Sequence, residues 1–147
     1  MSAHTTATLV EVTEALAAAL QPLQVTVDGL QIVPYFNPAP TPPSIDVYPA
    51  DPFWNGLGFE RGGGQVSYTI RARVTTADYV AGSQLLLGLL EPDTGVTGVL
   101  FDDDTLGGLV EQAFVAADGV TGFREYLVDP TSGGKLLGCE WKVEVIL

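Results

Sequence analysis

The chain of 147 residues holds one cysteine, one histidine and six lysines and arginines together. A single cysteine makes no internal disulfide and no cysteine-based metal cluster. Cys139 lies among apolar residues, so it reads as a small buried hydrophobe, and such sparing cysteine usage fits a reducing cytosol. The lone histidine, His4, stands near the N-terminus, where a Ser-His-Asp or Cys-His arrangement would lack a rigid frame. Zinc fails for want of ligands. No run approaches the roughly 18 apolar residues of a membrane helix; the densest stretch, Leu85 to Leu90, is short and contains Gly88. No basic region precedes an apolar one at the N-terminus, so it does not read as a signal peptide.

Positive charge is the largest deficit. Eighteen acids face six bases for a net charge of −12, and no lysine or arginine precedes Arg61. Such a surface repels nucleic-acid phosphates, which argues against a sequence-reading DNA or RNA binder. It fits solubility, and it equally fits a surface past which DNA slides without sticking.

An apolar fraction of 46% over 147 residues suits one domain with a sizeable core. Leu9, Val12, Leu16, Ala19 and Leu20 recur at helical spacing and predict a helix over 8–21, with Thr8 and Glu11 at capping-box distance, Thr5 or Thr6 as a cap one turn earlier, and Pro22 as its stop or its last turn. A short extended segment from Val25 to Val33 follows, broken by a turn at Asp28-Gly29. Between 34 and 64 the chain is rich in proline, glycine and aromatics. That composition predicts an ordered loop with one brief strand, Ser44 to Tyr48, because clustered prolines exclude helix and central strand while disordered linkers lack aromatics. Alternation over 65–76 predicts a strand with Val66, Tyr68, Ile70, Ala72 and Val74 on one face and Arg71 and Arg73 on the other. Thr76 or Asp78 caps a second helix reaching Leu90, and Val96 to Phe101 forms a short helix or turn. After a Thr105–Gly108 turn, strands are expected over 109–117 and 123–128, joined through Asp118-Gly119. The last, 136–147, alternates Leu137, Cys139, Trp141, Val143, Val145 and Leu147 against Glu140, Lys142 and Glu144. The pattern is α+β: an antiparallel or mixed sheet, its strand-rich end a meander, with two helices on one face and the 34–64 loop as its irregular part.

Chemistry is scarce. Asp102, Asp103 and Asp104 are adjacent, so their side chains diverge, and a solvated turn explains them better than a calcium loop. Gly56-Leu57-Gly58, Gly62–Gly64 and Gly133-Gly134-Lys135 lack the spacing of phosphate-binding loops. Arg71 and Arg73 either pair with a carboxylate on a neighbouring strand, Glu140 or Glu144, or cross a subunit interface together with Arg61. Phe53, Trp54 and Phe59 either fold back over their own core or anchor a partner.

At Asp104-Thr105-Leu106-Gly107-Gly108 and Gly138-Cys139-Glu140-Trp141-Lys142-Val143-Glu144-Val145-Ile146, the chain resembles the tail terminator proteins of long-tailed, siphovirus-type phages, of the kind found in actinobacterial phages and prophages. The likeness extends over most of the chain. It takes in the N-terminal helix, the loop through Pro38, Pro42 and Pro43, Phe59-Glu60-Arg61-Gly62 before the long strand, and the helix after Ala77-Asp78. The resemblance implies a late structural virion protein that forms a ring, a homohexamer, on the head-proximal end of the tail tube. It implies that the ring stops tube polymerisation and joins the head-side connector, with genome DNA passing through its lumen. It further implies assembly in the host cytoplasm, no cofactor and no membrane. Another neck component, such as the head-side stopper, and a small acidic binding module are the alternatives. An enzyme is disfavoured, since no nucleophile, base and orienting group can be assembled from these residues.

Overall fold

In the computed structural model, which describes residues 8–54, 64–129 and 134–147, a capping box starts the first helix, α1 (Leu9–Ala19). The Glu11 N–H donates to Thr8 Oγ1 at 3.1 Å, and the Thr8 N–H donates back to the Glu11 carboxylate at 3.0 Å, so two free donors of the first turn are satisfied. Val12, Leu16, Ala17 and Ala19 face inward. Past Pro22 the chain does not extend as expected. It makes one more helical turn, α2 (Leu23–Thr26), and Gly29, at φ 74°, then reverses it into β1 (Gln31–Val33).

β1 lies parallel to β2 (Ser44–Trp54), with Gln31, Ile32 and Val33 opposite Ser44, Ile45 and Asp46. Two adjacent parallel strands cannot be joined by a tight turn; the chain must travel back across the sheet. Residues 34–43 are that return. β2 is longer than the brief strand expected from its prolines. The reason is its position: β1 covers only Ser44–Asp46, and Pro49 and Pro52 fall beyond it, where β2 pairs on one side alone and its register shifts between Pro49 and Trp54. A missing N–H is tolerated on such an edge.

β2 pairs antiparallel with β3 (Gln65–Thr75), β3 with β5 (Gly134–Ile146), and β5 with β4 (Gln112–Asp129), giving the order β1-β2-β3-β5-β4. The sheet is mixed, with one parallel pair, and the expected meander is corrected: β5 inserts between β3 and β4. The two strands expected over 109–117 and 123–128 are one. Asp118-Gly119 does not reverse the chain; it belongs to a bulge in which β4 advances from Val115 to Val120 while β5 moves only from Val143 to Trp141. Gly119 is pressed so closely on Ala116 that a Cβ would lie 2.8 Å from its carbonyl oxygen.

One face of the sheet is dry. Ile45, Val47, Val66, Tyr68, Ile70, Ala72, Cys139, Trp141, Val143 and Val145 form it, each no more than 1% exposed. Three helices cover it rather than two: α1, α3 (Tyr79–Leu90) and α4 (Val96–Asp102). Asp78 caps α3, accepting from the N–H groups of Val80 and Ala81 at 3.0 and 3.1 Å. Below α4, Leu106, Gly107 and Gly108 take φ values of 51°, 70° and 87° in succession. Glycine makes two of these steps free of strain, and Leu106 makes the third with its side chain buried. The Asp103 carboxylate accepts from the Gly107 N–H at 2.9 Å, so that part of the acidic triplet caps a turn. None of the described helices is long and apolar enough to cross a membrane.

Trp141 has no exposed surface and is the largest of the fully buried side chains. Trp141→Ala is expected to lower stability by about 3–5 kcal/mol, read as a fall in denaturant midpoint at constant slope. Burial, with the Glu140 charge adding to it, pushes the Cys139 thiol from its ordinary 9.0 up to about 12. A thiol-labelling reagent at pH 8 should therefore react with Cys139 only after unfolding. Above pH 9 the unfolded chain releases a proton that the folded chain keeps, so stability should fall as pH climbs toward 12.

Candidate functional site

The second face of the sheet is polar, yet part of it is buried. Asp46 on β2, Arg71 on β3, Glu140 on β5 and Thr121 on β4 are successive partners in one cross-strand row. Charge alternates along the first three, which suits side chains about 5 Å apart. Asp46 has no exposure, and Arg71 and Arg73 retain 8% and 3%. Arg71 clasps the carboxylate with two bonds, Nε to Oδ1 at 3.2 Å and Nη2 to Oδ2 at 2.6 Å; Arg73 Nη2 stands 3.3 Å from the same Oδ2. A planar fork and a carboxylate fit each other in this way, and a lysine could not reproduce it.

The return loop is fastened here. The Asn37 N–H donates to Asp46 Oδ2 at 3.1 Å, while Arg73 Nη2 donates to the Asn37 carbonyl at 2.6 Å. Phe36 lies over the Arg71 guanidinium at 4.7 Å and Tyr48 flanks it at 5.0 Å, the two rings meeting edge to face. From the far side, Tyr126 of β4 reaches over Gly138, where any Cβ would run into its ring and into the Ala72 carbonyl oxygen. The Tyr126 hydroxyl lies 2.7 Å from Glu140 and 2.9 Å from the Gly122 carbonyl.

Burial works against the Arg71 charge, but bonding and charge from Asp46 outweigh it, and its pKa stands above the ordinary value. Arg73 is held below its ordinary value: burial is the main cause, opposed by Asp46 and reinforced by the like charge of Arg71. Burial, with the Glu140 bond and charge, raises the Tyr126 phenol. Both arginines thus make their pairs within the chain. The carboxylate is Asp46, not the expected Glu140 or Glu144. Glu140 instead meets Tyr126 and Arg124, and Glu144 accepts from Ser67 at 2.7 Å.

Of the aromatic candidates, Phe53 packs edge to face on Tyr68 at 5.4 Å. The Trp54 side chain, Phe59 and Arg61 lie outside the described residues, as do His4 and the glycines at 56, 58, 62 and 63. Phe53 borders a groove of about 520 Å³ between the start of α1, the return loop and the open part of β2. Leu9, Val10, Tyr35, Phe36 and Pro49 are among its walls. Tyr35 and Phe36 are more than half exposed there. The opposite edge carries a second apolar surface, which periodicity did not reveal. Phe101 on α4 is 76% exposed, and Phe114, Val120, Phe123 and Leu127 on β4 also face water. Among the described residues no cluster of three or more His, Cys, Asp or Glu side chains is placed to hold a metal ion.

No protein-family model matches the chain, and a comparison with curated proteins found no match either.

Asp46→Ala would take the bonded carboxylate from two buried guanidiniums, leaving Arg71 only the unbonded charge of Glu140 across the strand, and would leave Asn37 without its acceptor. The expected loss is about 3–5 kcal/mol, with faster amide hydrogen exchange at Asn37. An unchanged denaturant midpoint would show that the arginines reach water or another carboxylate.

Proposed function

We propose that this chain is a ring-forming structural protein of a phage tail, a terminator seated on the head-proximal end of the tail tube. The observation that carries the reading is the presence of two unlike apolar surfaces, one at each edge of a single sheet, on a molecule of net charge −12. Rings are built from heterologous contacts, in which one patch meets a different patch on the neighbour. Copies that repel one another at long range need such apolar contacts to assemble. The likeness at residues 104–108 and 138–146 names the particular ring. Its partners are then further copies of the chain, the tube protein on one side and the head-side connector on the other. An acidic wall suits a lumen through which DNA passes without binding. The reading assigns the chain no catalytic role and no cofactor. The aromatic groove is the one feature that favours the alternative of a small acidic binding module.

The test is to polymerise the cognate tail tube protein with and without this chain and to measure tube lengths by negative-stain electron microscopy. Added chain is expected to leave shorter tubes with a ring at one end only. Tubes of unaltered length with bare ends at every ratio would refute the terminator reading.

A further inference from the structure

We propose that the groove between α2 and the second half of α3 docks a segment of a partner protein that carries large apolar side chains beside a lysine or arginine. The groove encloses about 490 Å³, within the roughly 300–1,000 Å³ span of recognition pockets. Leu23, Val27, Leu85 and Leu89 wall it, and all four belong to the core or pack against it. Asp28 and Glu91 stand at its exposed rim, and its lining contains no lysine or arginine. Leu87, three residues on from Gln84 of the same lining, is 56% exposed and extends the apolar surface along α3.

Gly88 marks this groove as a place of contact. A glycine inside a helix weakens it relative to alanine, so its presence needs a reason. Two other helix glycines have one within the chain. A Cβ on Gly82 would lie 2.8 Å from the Thr75 carbonyl oxygen, and one on Gly98 would collide with the Asp93 carbonyl group. A Cβ on Gly88 would meet nothing within 4 Å, and its φ is not positive. Gly88 opens into the groove, where a bare backbone lets another chain approach closely.

Charge decides the chemistry of the occupant. α3 runs for 12 residues and has no basic residue in its last turn, so the negative end of its dipole and the Glu91 carboxylate lie together. Asp28, just past the end of α2, belongs to the same rim. A fatty acid or other anionic amphiphile would bring like charge to these carboxylates, and a neutral apolar ligand would leave both unanswered. A cation carried beside an apolar group answers them. A second copy of this chain is poorly equipped to supply it: Arg71 and Arg73 are buried, and Arg124 and Lys142 already stand beside Glu140 and Glu144. The partner is therefore a different protein, and nothing in the contact depends on the ring reading.

The probe is a synthetic helical peptide of leucine and lysine with its leucines on one face, set against a scrambled peptide of the same composition and charge. Binding to the full chain is read by fluorescence anisotropy of the labelled peptides. Wild type is expected to bind the amphipathic peptide at least about tenfold more tightly than the scrambled one. Amide chemical-shift changes should concentrate at residues 23–28 and 84–94, a readout that needs no variant. Gly88→Leu fills the groove without altering charge. It should raise Tm by about 2–4 °C and bring the amphipathic peptide down to the level of the scrambled one. Asp28→Asn with Glu91→Gln should weaken binding more than Asp102→Asn with Asp118→Asn, a pair that changes net charge equally but lies outside the groove lining. Equal binding of the two peptides, shift changes centred elsewhere, a lowered Tm or unchanged affinity for Gly88→Leu, or equal effects of the two charge pairs would each overturn the proposal. So would self-association of the wild type that Gly88→Leu abolishes, because the groove would then belong to a second copy.

Discussion

A carboxylate shut away from water must be neutralised from within, and Asp46 is that carboxylate here. Two arginines from the next strand converge on it, and the return loop spends the two backbone groups of Asn37 on the same cluster. The path of residues 34–43, the parallel placement of β1 and the stacking of Phe36 and Tyr48 on Arg71 all refer to this one charge. Burying ions is costly, and apolar replacements of such clusters are often no less stable. What the cluster supplies is definition: a sheet face covered by a loop has few apolar contacts to fix where the loop lies, and directional bonds fix it instead.

The two faces of the sheet therefore hold together by different means. The dry face relies on area, with Trp141, Tyr68 and the branched residues around them under three helices. The polar face relies on alternating charge along cross-strand rows. β4 serves both by bending. Its bulges let Tyr126 reach over Gly138 toward Glu140, while Ala113, near the start of the strand, stays in the core. The same bulges leave Phe123 and Leu127 in water, so the strand that completes one face also supplies the surface left for a neighbour.

Much of this was legible beforehand. Period-two alternation located β3 and β5 and assigned their faces, and cap residues marked two helix starts to within a turn, because each of these signals is local; the structure selects Thr8 over Thr5 or Thr6, and Asp78 over Thr76. The partner of Arg71 was not legible. Ser44-Ile45-Asp46-Val47-Tyr48 alternates polar and apolar residues, which hints that Asp46 shares a face with arginines, but only strand order says which neighbour it meets. Glu140 does stand opposite Arg71 in the register, but its carboxylate is taken by Tyr126 and Arg124, and Glu144 stands opposite Ser67 instead. β4 was split in two because Asp118-Gly119 looks like a hairpin turn, and a bulge uses the same residues. Gly138, whose missing side chain makes room for Tyr126, carries no signal at all in a strand of alternating residues. The exposed Phe101 went unmarked because a short helix shows too few turns to tell its wet side from its dry one.

The place of β5 has a kinetic side. The strand latest in the chain is flanked on both sides, by β3 and by β4, so β4 has no strand partner, and β3 only β2, until residues 134–146 exist. While the chain is being made, the second edge of β3 must wait through some sixty residues of synthesis. Late, non-local pairing slows folding and exposes strand edges to other chains. Mutual repulsion among half-made, strongly acidic chains counters that exposure. Seen in this way, the charge that makes a finished copy reluctant to meet another also guards the unfinished one.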